Sequence, residues 1–148
     1  MARLKHLLAA AVGLMSALAT AASASTDVAT GIVRAMYQRG GGGPTDPWLA
    51  SDLSAAIRKQ PADTFRAFDF LYGGQRDRIS GLNFVTETDG PQASVTAVFQ
   101  NRGKAFSVNW TLCQRRDGRW LIANAGSVNT GDPWDLRTML NLPEAVAC

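Results

Sequence analysis

Hydrophobic and polar positions along this 148-residue chain change their period twice. From Leu7 to Ala22 the chain is apolar with few breaks, preceded by Arg3 and Lys5 and followed by Ala22-Ser23-Ala24. From Ser25 the spacing becomes helical. Val28, Ile32, Ala35 and Met36 recur on one face, Ser25 or Thr26 can cap, and Asp27 suits the positive end of the helix dipole. The helix is predicted to stop at Arg39-Gly40, because the run Gly40 to Gly43 followed by Pro44 cannot sustain it. A second helix is expected from near Asp46-Pro47, turning Trp48, Leu49, Leu53 and Ile57 inward before Pro61 ends it. A short helical turn over Ala62 to Phe68 follows.

Between Asp69 and Gly81 the periodicity lapses into a structured loop of aromatic residues, Gly73-Gly74 and clustered charges. Beyond it the period falls to two. Ile79 to Glu87 and Ala93 to Gln100 are the first two strands, and Asn101-Arg102-Gly103-Lys104 is a hairpin turn. The third strand puts Phe106, Val108, Trp110 and Leu112 on one face and Ala105, Ser107, Asn109, Thr111 and Cys113 on the other. Arg116-Asp117-Gly118-Arg119 turns into a fourth strand, Trp120 to Ala125, and a last helix runs from about Pro133 to Leu140. Helices first and a meander afterwards define an α+β fold, N-terminal helices packed on a curved antiparallel sheet. The face bearing Trp110 is the predicted core, each large side chain there contributing roughly 1.5 to 3 kcal/mol on burial. Trp134, beside Gly131-Asp132-Pro133, is the tryptophan expected to be exposed.

The N-terminal pattern has the order of a secretory signal peptide cleaved after Ala24, the alternative being an uncleaved membrane anchor. Residues 1–24 are then the signal and residues 25–148 a single domain, 124 of the 148 residues and enough for one core. No later segment is apolar or long enough to span a bilayer, so the expected location is periplasmic or secreted. Cleavage removes His6, the only histidine, and with it any imidazole for base catalysis, nucleophile activation or metal binding. It also removes two of fifteen basic residues, leaving thirteen against twelve acids, a net +1 that gives nucleic acid no basic face. Export favours one disulfide between Cys113 and Cys148, the alternative being two separate thiols. Closing that loop is worth about 3 to 4 kcal/mol in the chain-entropy model. The glycine run lacks the Gly-Lys-Ser/Thr ending of a phosphate loop and the acids lack calcium-loop spacing, so neither cofactor nor metal is expected.

The densest candidate site is Asp69, Tyr72, Gln75, Arg76, Asp77 and Arg78. A carboxylate at a pocket mouth can act as general base, and arginine can hold an anion. The structural alternative is a charged loop tied by local pairs, each worth at most about 1 kcal/mol when exposed. Arg102 and Lys104 lie at one end of the third strand and Arg115, Arg116 and Arg119 at the other, which makes two basic ends and no single groove.

Several stretches carry a family resemblance: Asp69-Phe70, Gln75, Asp77, Val95-x-Ala97-Val98-Phe99-x-Asn101-x-Gly103, Asp117-Gly118-x-Trp120-x-Ile122 and Asp135-Leu136-Arg137-x-x-Leu140. Together they resemble a family of exported bacterial domains, of no established function, in the nuclear-transport-factor-2-like superfamily. The resemblance implies a cone-shaped domain with a pocket at the open end of its sheet. On that basis the leading expectation is a non-catalytic module binding a small-molecule ligand or a protein partner. One alternative is a histidine-free isomerase- or dehydratase-like enzyme with Asp69 or Asp77 as general base. The other is a structural or inhibitory protein acting through the outer sheet face.

Overall fold

Period-two alternation becomes four long strands and a short fifth in the computed structural model, which describes residues 9–40, 47–61, 63–64, 69–74, 78–127 and 133–144, with side chains from residue 23 onward. They are β1 (Ile79–Asp89), β2 (Gln92–Asn101), β3 (Lys104–Gln114), β4 (Trp120–Ser127) and β5 (Trp134–Asp135), hydrogen-bonded antiparallel in chain order. Val95 lies opposite Trp110, Ala97 opposite Val108 and Phe99 opposite Phe106, so the apolar sets of β2 and β3 share the inner face. Trp110 is completely buried there, as its strand parity predicts. Three helices accompany the sheet, α1 (Ala9–Arg39), α2 (Ser51–Lys59) and α3 (Leu136–Met139), and the class is α+β.

Helix α1 runs without a break across the expected cleavage point. Its contacts with the sheet follow an arithmetic of repeats, because four helical residues rise about 6 Å and two strand residues about 6.8 Å. Thr26 meets Thr88 at 3.3 Å between hydroxyl oxygens, Thr30 meets Thr86 at 2.6 Å, and the Arg34 guanidinium lies 5.6 Å from the Phe84 ring centroid. The helix is therefore antiparallel to β1, with Ala29, Val33, Met36 and Tyr37 turned into the core. Ser23 and Ala24, just before this ladder, are exposed. Among the described residues no helix is long and apolar enough to cross a membrane.

Three local expectations need correction. The second helix starts at Ser51, not near Asp46-Pro47, because the backbone of Trp48 and Ala50 pairs with β4: Ile122 N donates to Trp48 O at 2.6 Å and Ala50 N to Ile122 O at 2.8 Å. With β5 on Gly126 and Ser127, these bonds cover the outer edge of β4 and leave little open ladder there. The last helix starts at Leu136, since Trp134 and Asp135 are strand and the Asp135 side chain caps α3 by accepting from Thr138 N at 2.8 Å. Trp134 is half-buried, its indole so close to Gly73 that a Cβ there would come within 3.2 Å of Nε1. Residues 41–46, 62, 65–68, 75–77, 128–132 and 145–148, which hold the glycine run, most of the Ala62 to Phe68 turn, three candidate site residues and Cys148, lie outside the described residues.

β4 carries a bulge that the alternation hides. Thr111 pairs with Asn124 but Leu112 pairs with Ile122, so Ala123 is the extra residue. Trp120 and Ile122 face inward before it and Ala125 after it. The freed Ala123 carbonyl accepts from Arg137 Nη1 at 3.1 Å. Arg137 also donates from Nε to Pro143 O and from Nη2 to Asp52 Oδ2, both at 2.6 Å. One buried guanidinium thus joins the bulge, the first turn of α2 and the chain after α3.

Candidate functional site

The core's aromatic centre is Tyr37. Its ring meets Tyr72, Phe84 and Trp110 edge-on at 5.5, 5.6 and 6.1 Å between centroids. Its hydroxyl donates to Leu71 O at 2.6 Å and accepts from Trp110 Nε1 at 3.4 Å. Burial pushes the hydroxyl's pKa far up, with the charges of Tyr72 and Asp69 adding to the rise against the Trp110 hydrogen bond. Tyr37 therefore stays neutral and acts as a structural strut.

That strut reaches the first half of the candidate loop. Asp69 and Gly74 exchange backbone bonds at 3.1 and 3.2 Å, Tyr72 N donates to Asp69 O at 3.1 Å, and Leu71 N donates to Asp69 Oδ1 at 3.0 Å. The Asp69 carboxylate closes a tight turn, the local role that Asp commonly takes. The turn drives Phe70, Leu71 and Tyr72 into the core as a plug. Gly73 and Gly74 both have positive φ, 62° and 149°, which allows so short a reversal.

Past residues 75–77, Arg78 enters β1 beside the β2–β3 hairpin, because the register sets Ile79 opposite Asn101 and Ser80 opposite Gln100. The hairpin turn has φ of 54° at Arg102 and 76° at Gly103, the left-handed pair that a two-residue reversal of twisted strands needs. Glycine or asparagine fills such positions readily. Arginine there costs roughly 1 to 2 kcal/mol of backbone strain. Arg78, at φ 48°, has the same departure, and only Asn141 joins them among the described non-glycine residues. Arg78 and Arg102 line one open concavity of about 690 Å³ with Ile79, Ser80, Gln100 and Gly103. Arg102 continues into a second, of about 260 Å³, with Tyr72, Gly73, Gly74, Asn101, Lys104 and Phe106.

The structure thus brings Tyr72 and Arg78 to adjoining hollows and assigns Asp69 to the turn that frames one of them. Gln75, Arg76 and Asp77 lie outside the described residues. Arg102 and Lys104, set aside in the sequence as one end of a strand, belong to this group. The signal that could have found them is the hairpin: a meander returns the start of β1 to the β2–β3 turn, so residues some twenty-four apart meet. No carboxylate is among the described residues lining either hollow. Together the two hollows gather three exposed cations, Arg78, Arg102 and Lys104, at one end of the sheet. Exposed charge pairs contribute up to about 1 kcal/mol each, so the cations alone hold a simple ion with millimolar or weaker affinity. A tighter ligand needs apolar contact as well, which Ile79 and Phe106 offer.

Comparison with protein-family models, with curated proteins and with solved structures finds no match to this chain.

Proposed function

We propose that this chain is an exported, non-catalytic binding module that takes a small acidic ligand, carboxylate- or phosphate-bearing, at the hairpin end of its sheet. The observation that carries the reading is that two arginines in strained left-handed backbone face one concavity. Strain of this kind persists where something other than stability selects the residue.

Export is read from the N-terminal pattern, and supported by the contact ladder of α1, which begins at Thr26 and so survives cleavage after Ala24. In the periplasm or outside the cell, a Cys113–Cys148 disulfide would fasten the tail to the outward face of β3. Its support is that no described cysteine is a free thiol. The order of helices, meander and bulged β4 suits a nuclear-transport-factor-2-like cone, whose open end would be the hairpin end described above. The isomerase- or dehydratase-like alternative draws less support, because Asp69 Oδ1 is engaged by Leu71 N.

The test is a nuclear magnetic resonance titration of the mature domain, residues 25–148, with citrate and with inorganic phosphate. The proposal expects the largest amide shifts at Arg102, Gly103 and Arg78, with citrate the stronger ligand. Shifts spread over the surface, or centred elsewhere, would refute it.

A further inference from the structure

The outward face of the sheet holds a concavity of different chemistry. No outward position of β2 or β3 carries a charge: Ser94, Thr96 and Val98 occupy the middle of one strand, Ser107, Asn109 and Thr111 the middle of the other. A strand face that meets only water is ordinarily dotted with charges of both signs. Here uncharged hydrogen-bonding groups are gathered instead. The register lays Thr96, Asn109, Gly126 and Asp135 in one row across four strands, and Ser94, Thr111 and Asn124 in the next.

Gly126 makes the row concave. It is glycine because β5 passes so near that a Cβ would lie 2.8 Å from the Trp134 carbonyl oxygen. The gap forms part of a groove of about 390 Å³, with Asn109 on one wall and Asp135 on the other. Two inter-strand spacings, roughly 10 Å, separate their backbones.

The walls are oriented before any ligand arrives. Asn109 Nδ2 donates to Ser94 Oγ at 2.7 Å and to Thr96 Oγ1 at 3.1 Å, which leaves Asn109 Oδ1 to accept and directs both hydroxyl protons away from the amide. Opposite, Asn124 Nδ2 donates to Asp135 Oδ2 at 2.6 Å, while Asn124 Oδ1 accepts from Ala125 N at 2.9 Å and Arg137 N at 3.2 Å. Burial alone would raise the Asp135 carboxyl, but bonds from the Thr138 N–H and the Asn124 amide hold it below its usual range. Its charge is already shared with the Thr138 N–H and hydroxyl, the Asn124 amide and the Arg137 N–H, so it can accept from a hydroxyl without requiring a cation. Pre-oriented groups of this kind lower the entropic cost of binding.

A ligand that matches both walls presents closely spaced groups that donate and accept and carries no net charge. Hydroxyls on adjacent carbons have these properties. We propose that the outer groove binds a neutral saccharide whose vicinal hydroxyls bridge Asn109 and Asp135 across Gly126. The volume falls within the usual range for small-molecule sites, about 300 to 1,000 Å³. This site is separate from the acidic-ligand reading and stands without it.

The test is a titration of the ¹⁵N-labelled mature domain with maltose, cellobiose and chitobiose, following the side-chain amides of Asn109 and Asn124, with retention on amylose, cellulose and chitin beads alongside. Movement of both amides with at least one disaccharide supports a free-sugar site. Retention on a polymer that is lost in the Asn109 variant supports a polysaccharide site. Asn109→Ala should weaken the responding sugar by about tenfold, the scale of one or two hydrogen bonds. Thr111→Val, close in shape, should weaken it less and serves as the second variant if Asn109→Ala is unfolded. Still amides with every disaccharide and no retention on any polymer would overturn the proposal, as would shifts confined to Arg102 and Gly103.

Discussion

Replacing Arg137 with methionine tests the packing account at its most concentrated point. The residue is only 4 % exposed and its side chain donates to three acceptors in different directions, Ala123 O, Pro143 O and Asp52 Oδ2. Each charge-assisted bond to a carbonyl contributes about 1.5 kcal/mol or more. The Asp52 side chain is about half exposed, 49 %, so its ion pair is discounted to about 1 kcal/mol. The sum is about 4 kcal/mol. Relief from desolvating the guanidinium offsets part of it, which places Arg137→Met near 3 kcal/mol. Urea unfolding of the mature domain, followed by circular dichroism, measures this directly. Arg137→Lys should recover less than half, because a single ammonium cannot serve three directions as a planar fork does. The hydrogen bond from Arg137, chiefly, depresses the Asp52 carboxyl. The stability it confers is present above the unfolded carboxyl value of about 3.9 and is lost as pH falls through the lower folded value. The wild type should therefore weaken below about pH 4 by more than Asp52→Asn does. A cost under about 1 kcal/mol for Arg137→Met, or full recovery by lysine, would refute the three-way junction.

Three further outcomes are expected. Trp110→Ala should cost about 3 to 5 kcal/mol, as for other buried aromatics, and a soluble variant with unchanged unfolding would contradict the inner face of β3. Protein recovered from the exporting cell should begin at Ser25 and be two hydrogens lighter than its reduced mass; labelling of both cysteines in unreduced, unfolded material would exclude the bridge. Arg102→Asn should stabilise the domain by about 1 kcal/mol, since asparagine tolerates the left-handed turn, and an unchanged urea midpoint would remove the strain argument.

Much of the fold is legible in the residues. Alternation in Phe106, Val108, Trp110 and Leu112 is a local property of the chain, and both the strand and its buried face follow from it. The same holds for the Asn101 to Lys104 hairpin and for the helical face of Ala35 and Met36, although Val28, assigned to that face, is exposed in the structure. What escapes is settled by distant partners. Leu49 has helical spacing with Leu53, yet Trp48 and Ala50 give their backbone bonds to Ile122. The β4 bulge is invisible because Ala123 and Ala125 are equally small and apolar. Arg137 looks like a surface charge until Asp52, eighty-five residues earlier, arrives beside it. For the candidate site, the loop from Asp69 was legible by composition, but the positive φ of Arg78 and Arg102 was not, since it belongs to the meander's geometry rather than to either residue's preference.

The central claim is that the arginines at the hairpin end are kept for an acidic ligand at a cost in backbone strain. The most direct measurement is citrate binding by calorimetry at low salt, comparing the mature wild-type domain with Arg78→Asn/Arg102→Asn. The account predicts at least a tenfold loss of affinity in a variant that unfolds at higher urea, because asparagine relieves the turn while removing two charges. Equal citrate affinity in the two proteins would contradict it.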